Sequence, residues 1–492
     1  MPGIRRNIGF LLLTQGVNIA AALLLLAMVA RYLGVERFGQ LTVLRSIALF
    51  ALPLLTGGLR LNIIRETARD PEGAPAYLGS IITLRWCLGF GAALAAAGVV
   101  RLLPLSPDLE SASYAAILLA LAGVWQSVPS AILVAYERNE YNLLMSTINN
   151  LLTILLTAIA IRLDTGVAGI IFASAIPSFL VAQAAQLLIS RRLVRPILTI
   201  DLHHWRRFMK SALPLGVSGL LRRSYARIDI WLLAVLQGAA AAALFSIAYR
   251  LVTEVTNTSR FISSAILPRI SMLAHARRDD LRTAVERLLL ILLSVSVPAA
   301  GVMAACAAPA LTLLVGPQFE GSITALRLVS VVCVTALPDA LLFYVLVALR
   351  KEMVATACLL ATVIANAILD LILIPLMGVR GACFGTIGAE WTYFALALLL
   401  VHRALRISSF WQFIGKPVVA GAGMALAVWM AGPHRPVLGA LAGLSAFAFL
   451  FVLLRVRPRE SIRTLRTALA VRPGDAGTGA QQPLPASNSE YD

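Results

Sequence analysis

Apolar stretches long enough to cross a bilayer, about 17–25 residues each, follow one another along nearly the whole chain. They run near residues 8–29, 39–59, 78–100, 113–136, 143–161, 167–189, 212–236, 244–267, 286–306, 322–349, 354–374, 381–401, 412–432 and 435–454. Few folds are open to such a chain. In hydrocarbon every backbone N–H and C=O must find a partner within the protein, which leaves helices or a closed barrel. Apolar runs of this length, without strict alternation, select helices. The expected fold class is an all-α polytopic membrane protein with about 14 transmembrane helices. Only 13% of residues are charged, against about a quarter in soluble domains. The tenth stretch is long, and Pro338 predicts a kink in one tilted helix there.

Basic residues test this map. Arg191, Arg192, Arg195, Arg206, Arg207 and Lys210 share one loop, and Arg277, Arg278 and Arg282 share another of the same parity. The positive-inside rule puts those loops and both termini in the cytoplasm. The net charge of +18 then reads as loop anchors on anionic membrane lipids. No aromatic-basic module accompanies it, so no nucleic-acid partner is expected. The amino-terminal MPGIRRNIGF has the charge pattern of a signal peptide, but it begins a longer span and reads as a retained first helix. Cys87, Cys306, Cys333, Cys358 and Cys383 form no CxxC pair and read as small apolar side chains. His203 and His204 are adjacent without a converging Cys or carboxylate cluster, and His275, His402 and His434 are scattered. Neither a metal site nor a cofactor is expected.

The basic loop divides the chain. Residues 1–190 read as a six-helix lobe, 191–211 as a basic cytoplasmic linker, and 212–402 as a second six-helix lobe. Residues 403–454 add spans 13 and 14, and 455–492 form a basic and then disordered tail. An even number of spans per lobe gives both the same orientation, so the lobes read as pseudo-symmetric parallel repeats around a cleft. QLTVLRSIALF in span two and ALFSIAYRLVTEV in span eight place Arg45 and Arg250 at corresponding positions.

Charges inside spans are expensive and normally face a cavity or a partner. The seventh span carries Arg222, Arg223, Arg227 and Asp229. The plainer reading is an ion pair between Asp229 and Arg222 or Arg227 that only ties helices together. One aspartate cannot match three arginines, however, and unmatched guanidinium in a hydrated cleft grips phosphate with paired hydrogen bonds. Arg250 and Glu254 are four apart in span eight, so a local pair competes with a ligand role for Arg250. Asn257 continues that stripe, and Arg260 is placed to snorkel.

In the first lobe Gln15, Asn18, Arg45, Arg85, Asn149 and Asn150 are candidates for sugar hydroxyls or for helix packing, with Arg85 placed to reach headgroups. Asn18 and Asn149 join the five arginines as candidate substrate-binding residues. Asp370, four residues after Asn366, and Glu390 beside Trp391 are candidates for proton or sodium coupling, as is Glu254; each also fits a packing role. Pro53, Pro129, Pro177, Pro214, Pro268, Pro298 and Pro338 can bend helices around a closable cleft.

YLGVERFGQLTVLRSIAL at 32–49, with the matching ALFSIAYRL of span eight, resembles the polysaccharide and oligosaccharide exporters of the MOP superfamily. The LG-x-x-x-FG turn before an amphipathic second helix carries the local likeness, and the topology over residues 5–454 extends it. The resemblance implies a Wzx-type flippase in the bacterial inner membrane, not an enzyme. Its implied cargo is an undecaprenyl-pyrophosphate-linked oligosaccharide for O-antigen, capsule or exopolysaccharide, with glycan polymerase or export machinery as partners. It also implies an arginine-containing central cavity, for which Arg45, Arg222, Arg223, Arg227 and Arg250 are the candidates. A MOP-type multidrug or cation antiporter is the alternative, and would want negative or aromatic cavity groups. A membrane glycosyl polymerase or ligase is a further one, though the chain has neither a large outer loop nor paired catalytic carboxylates.

Overall fold

In a computed structural model, the described residues are 2–56, 63, 67, 73–102, 106–136, 138–202, 205–206, 208–209, 228–276, 278–407, 411–432 and 435–454. Every regular element among them is helical. In chain order these are α1 (Pro2–Thr56), α2 (Ala74–Leu102), α3 (Pro107–Ala135), α4 (Asn139–Arg162), α5 (Gly166–Arg192), α6 (Ile228–Gln237), α7 (Ala239–Ala276), α8 (Arg278–Ala305) and α9 (Ala307–Val315). There follow α10 (Gly321–Val329), α11 (Val332–Ala348), α12 (Glu352–Met377), α13 (Val379–Leu405), α14 (Lys416–Ala431) and α15 (Pro436–Leu453). Twelve helices among the described residues are long and apolar enough to cross a membrane. The first of these contains the bend of α1 at Gly34, whose φ of 70° suits a residue without a Cβ. That bend separates what the sequence predicts as spans one and two.

The helices pack in two groups. In the first, α3 lies along α5, α1 along α4, and α2 against α3. Between helices in lipid the hydrophobic drive is weak, and small side chains that let backbones approach take its place. Ala112, Ala115, Ala116, Ala122 and Ala131 of α3 and Ala173, Ala175, Ala182 and Ala185 of α5 are buried, consistent with that role. In the second group α11 packs against α7, α8 and α13, α12 lies along α13, and the α14–α15 hairpin rests on α8. The groups meet where α1 runs along α7. One apolar cluster crosses the junction, joining Leu26, Val29, Phe38 and Ile170 to Phe245, Ile247, Leu311 and Phe319. Trp231 also donates to Ser46 Oγ across it, at 2.6 Å.

A polar clasp closes the junction at the Gly34 end. Arg31 donates to the Leu313 carbonyl. Gln318 Nε2 donates to the carbonyls of Ala30 at 3.0 Å and Arg31 at 3.4 Å. Phe38 and Phe319 meet edge to face with centroids 5.8 Å apart. Beside them Tyr32 donates to Asp164 at 2.7 Å and accepts the Gly166 N–H at 3.0 Å.

The long tenth stretch is one apolar span, Gly321–Ala348, with a turn at Ser330–Val331 joining α10 to α11 and Pro338 inside α11. Two expectations change. Arg85 does not reach headgroups: it is 1% exposed and donates to Ser127 within the first group. Cys333, Cys358 and Cys383 are buried as expected, whereas Cys87 is exposed and Cys306 partly so. Pro214, His203, His204, His434, Arg207 and Lys210 of the linker and the 455–492 tail lie outside the described residues, as do the side chains of Asn257, Arg260, Pro268 and His275.

Candidate functional site

A cavity of about 510 Å³ opens between the two groups of helices. The bent α1 supplies Asn18 from one arm and Arg45 from the other, α4 supplies Asn149, Asn150 and Thr153, and α5 supplies Ser174 and Ser178. Across the junction α7 contributes Ser246, Tyr249, Arg250, Thr253 and Glu254. The spacing 246, 249/250, 253/254 is one face of an α-helix, so a single stripe of α7 presents all its polar groups to the cavity.

Arg45 and Arg250 come from opposite groups and line the same cavity. The correspondence expected from the two sequence segments therefore places both on one cavity. Arg45 donates to Ser174 Oγ at 2.5 Å, while its Nε is buried with no hydrogen-bond partner among the described residues. Arg250 Nε pairs with Glu254 at 3.4 Å. Like charges held together in a cavity of restricted dielectric make a site for an anion.

Amides line the neighbouring wall. Asn150 donates to Asn18 at 2.7 Å, bridging α4 to α1. The carbonyl oxygen of Asn149 is buried without a donor among the described residues. The sequence pointed to Asn18 and Asn149 as the sugar-binding amides. The structure makes Asn18 half of a helix bridge, leaving Asn149 as the amide with an unused acceptor. Gln15 does not line the cavity. Ser174, Ser178, Thr153, Tyr249 and Thr253 do. Their sequence signal is faint, because Ser and Thr occur throughout membrane helices as self-satisfied groups.

A second polar cluster lies within the second group. Asp229 of α6 and Asn366 and Asp370 of α12 are buried, as is Thr386 of α13. Thr386 donates to Asp229 Oδ2 at 2.9 Å, and Asn366 to Asp370 Oδ2 at 3.2 Å. Helix α6 packs on α12, and adjacent residues of α13 meet the two carboxyls, Gly385 lying against Asp370 Oδ1 and Thr386 bonding Asp229. Such a pair in a dry site is stable only with a proton or a cation between the oxygens. Asp229 Oδ1, Asn366 Oδ1 and Asp370 Oδ1 are all buried without a donor among the described residues. Three hard oxygen acceptors in one place fit a proton or a small cation.

Among the described residues Asp229 accepts from Thr386. Arg222, Arg223 and Arg227, predicted to share its span and to head the cationic site, lie outside the described residues. Of the coupling candidates, Asp370 joins this cluster and Glu254 lies in the central cavity. Glu390 lies near Cys333 and lines neither cavity described here. Among the described residues no three His, Cys, Asp or Glu side chains converge.

An apolar cavity of about 610 Å³ lies under the α14–α15 hairpin, lined by Val297, Gly301, Val334, Met424, Val428 and Trp429, with Arg327 among its polar groups.

The model of the "Polysaccharide biosynthesis protein" family matches residues 4–274, more than half of the chain. The chain belongs to that family. Among proteins of curated function none matches it in sequence. Its fold is shared with the lipid II flippase MurJ in an inward closed conformation, at a TM-score of 0.77 and 14% identity, covering 93% of this chain and 100% of that one. A multidrug resistance MATE transporter of the MOP superfamily, inward-facing, matches at 0.65 and 18% identity over 80% and 96% of the two chains. A MOP superfamily transporter from Pyrococcus furiosus matches at 0.58 and 19% identity over 82% and 96%. This polysaccharide biosynthesis protein therefore shares its fold with a lipid II flippase and with transporters of the MATE type.

Proposed function

We propose that the chain flips an undecaprenyl-pyrophosphate-linked oligosaccharide across the bacterial cytoplasmic membrane, for an envelope or exported polysaccharide. One observation carries this reading: Arg45 and Arg250 line one cavity from opposite helix groups, with the amides Asn18, Asn149 and Asn150 and the hydroxyls of Thr153, Ser174 and Tyr249 beside them. Guanidiniums serve the phosphates, and the neutral wall offers sugars replaceable hydrogen bonds. A cavity of about 510 Å³ is in the range of small-ligand sites, enough for the phosphate-proximal part of the head group. The lipid tail stays in hydrocarbon, and the apolar cavity under α14–α15 offers it a sheltered path.

We read the architecture as fourteen spans in two pseudo-symmetric six-helix lobes, 1–190 and 212–402, with 403–454 as the accessory pair and both termini cytoplasmic. Arg222, Arg223 and Arg227 are retained as further phosphate ligands. The Gly34 end is then the outer one, and its clasp keeps the cleft shut there during inward loading. Coupling falls to Asp229, Asn366, Asp370 and Thr386, which would hold a proton or sodium ion. Glycan polymerase or export machinery receives the product.

The test is flipping in proteoliposomes. A defined lipid-linked oligosaccharide is offered in parallel with a cationic dye, under imposed proton and sodium gradients. Transport of the glycolipid, depressed by Arg45→Gln and Arg250→Gln, is the expected result. Transport of the dye alone would replace this reading with a multidrug exporter, and lengthened glycans would replace it with a polymerase.

A further inference from the structure

A carrier must release what it binds, and a cluster of guanidiniums facing a pyrophosphate is a poor releaser. The central cavity contains a group that addresses this. Glu254 is the one carboxylate among its described lining residues. It sits one turn from Arg250 on the same face of α7 and pairs with the Arg250 Nε at 3.4 Å. Its side chain is 18% exposed and that of Arg250 49%, so the guanidinium faces the cavity more openly than the carboxylate that holds it. Arg45, by contrast, is met by a neutral hydroxyl, Ser174. The two arginines therefore differ: one carries a counter-ion of its own, and the other does not.

Resting on the phosphate-carrier reading above, we propose that Glu254 is a built-in competitor for the cargo phosphate, which yields Arg250 on loading and reclaims it on release. In the empty cavity Glu254 satisfies Arg250 and keeps two guanidiniums from standing as an unbalanced anion trap. An arriving phosphate engages Arg45 first and then exchanges with Glu254 on the guanidinium of Arg250. The exchange trades one ionic contact for another, so the bound state is shallow. On the far side the tethered carboxylate, four residues away, recaptures Arg250 at high effective concentration and expels the phosphate. Binding that is sufficient for entry and weak enough for departure is what permeation requires.

Removing the competitor should tighten binding and slow turnover. At about 6 Å from the phosphate, a carboxylate charge weakens anion binding about threefold at water-like dielectric and about a hundredfold at an effective dielectric near 20. Glu254→Gln, which keeps the shape, should lower the dissociation constant for farnesyl diphosphate by a factor in that range. The measurement is calorimetric titration of the purified full-length chain in detergent, with farnesol as the phosphate-free control. In proteoliposomes the same variant should lower KM and kcat for lipid-linked oligosaccharide together. In an Arg250→Gln background the gain from Glu254→Gln should shrink to the direct repulsion alone, because competition for the guanidinium is lost.

Unchanged or weaker binding by Glu254→Gln would overturn the proposal and make Glu254 a strut that positions Arg250. So would a gain of equal size without Arg250. If the wild-type chain binds farnesyl diphosphate no better than farnesol, and Arg45→Gln changes nothing, then the phosphate-carrier reading fails and this proposal with it.

Discussion

A methyl group placed on Gly385 would lie 2.0 Å from Asp370 Oδ1, where ordinary van der Waals contact begins at 3.4 Å. In Gly385→Ala the carboxylate must withdraw by about 1.4 Å. Cation-ligand distances tolerate only about 0.2 Å, so the displaced oxygen ceases to be a ligand. A contact to a charged group is worth about 1.5–3 kcal/mol, which predicts a roughly 10- to 150-fold rise in the cation concentration giving half-maximal coupled transport. The assay is the initial flipping rate in proteoliposomes, titrated against sodium at fixed pH and against proton gradients without sodium. Gly388→Ala is the control, three residues on and in the same helix. Its methyl would meet only the movable end of Leu369, at 2.7 Å, and should leave the ion dependence intact. Farnesyl diphosphate binding should survive both substitutions, since the central cavity is a separate site. An unchanged ion dependence in Gly385→Ala would refute the assignment of coupling to the Asp229–Asp370 cluster.

Arg45→Gln and Arg250→Gln each remove charge-assisted hydrogen bonds worth about 1.5–3 kcal/mol, and should weaken farnesyl diphosphate binding roughly 10- to 150-fold; farnesol binding should not change. Arg31→Ala with Gln318→Ala deletes the side-chain donors of the clasp, about 0.5–1.5 kcal/mol per bond. A cysteine replacing Leu41, which lines the central cavity, should then react faster with an impermeant thiol reagent added from outside, in a background lacking the native cysteines. Tyr32→Phe removes the bonds to Asp164 and Gly166, and should cost about 1–2 kcal/mol, read as a lower midpoint of thermal unfolding in detergent with Arg45-dependent binding retained.

The membrane class was legible because burial of backbone polar groups in lipid allows so few solutions. Within it, legibility followed what each signal encodes. Arg45 and Arg250 could be matched through short similar segments, and they meet on one cavity. Asp229 accepts from Thr386, far along the chain, a partner that sequence proximity could not suggest. The Asn366–Asp370 pair was visible as an i,i+4 spacing; that a second helix would bring another carboxyl to it was not. Helix packing decides such meetings, and it depends on small residues spread over several helices. Pro338 lies inside one long span, where a proline is tolerated when neighbouring groups absorb the missing bond.

The clasp at the Gly34 end has an asymmetry worth following. Its donors are two side chains, but all its acceptors are main-chain carbonyls, of Leu313, Ala30 and Arg31. Any residue except one that distorts the backbone can occupy position 30 or 313 and still offer the same oxygen. In descendants of this chain the two donors should hold still while the residues they grip drift freely. A door built this way would look, in a comparison of sequences, like two isolated polar residues with no partner.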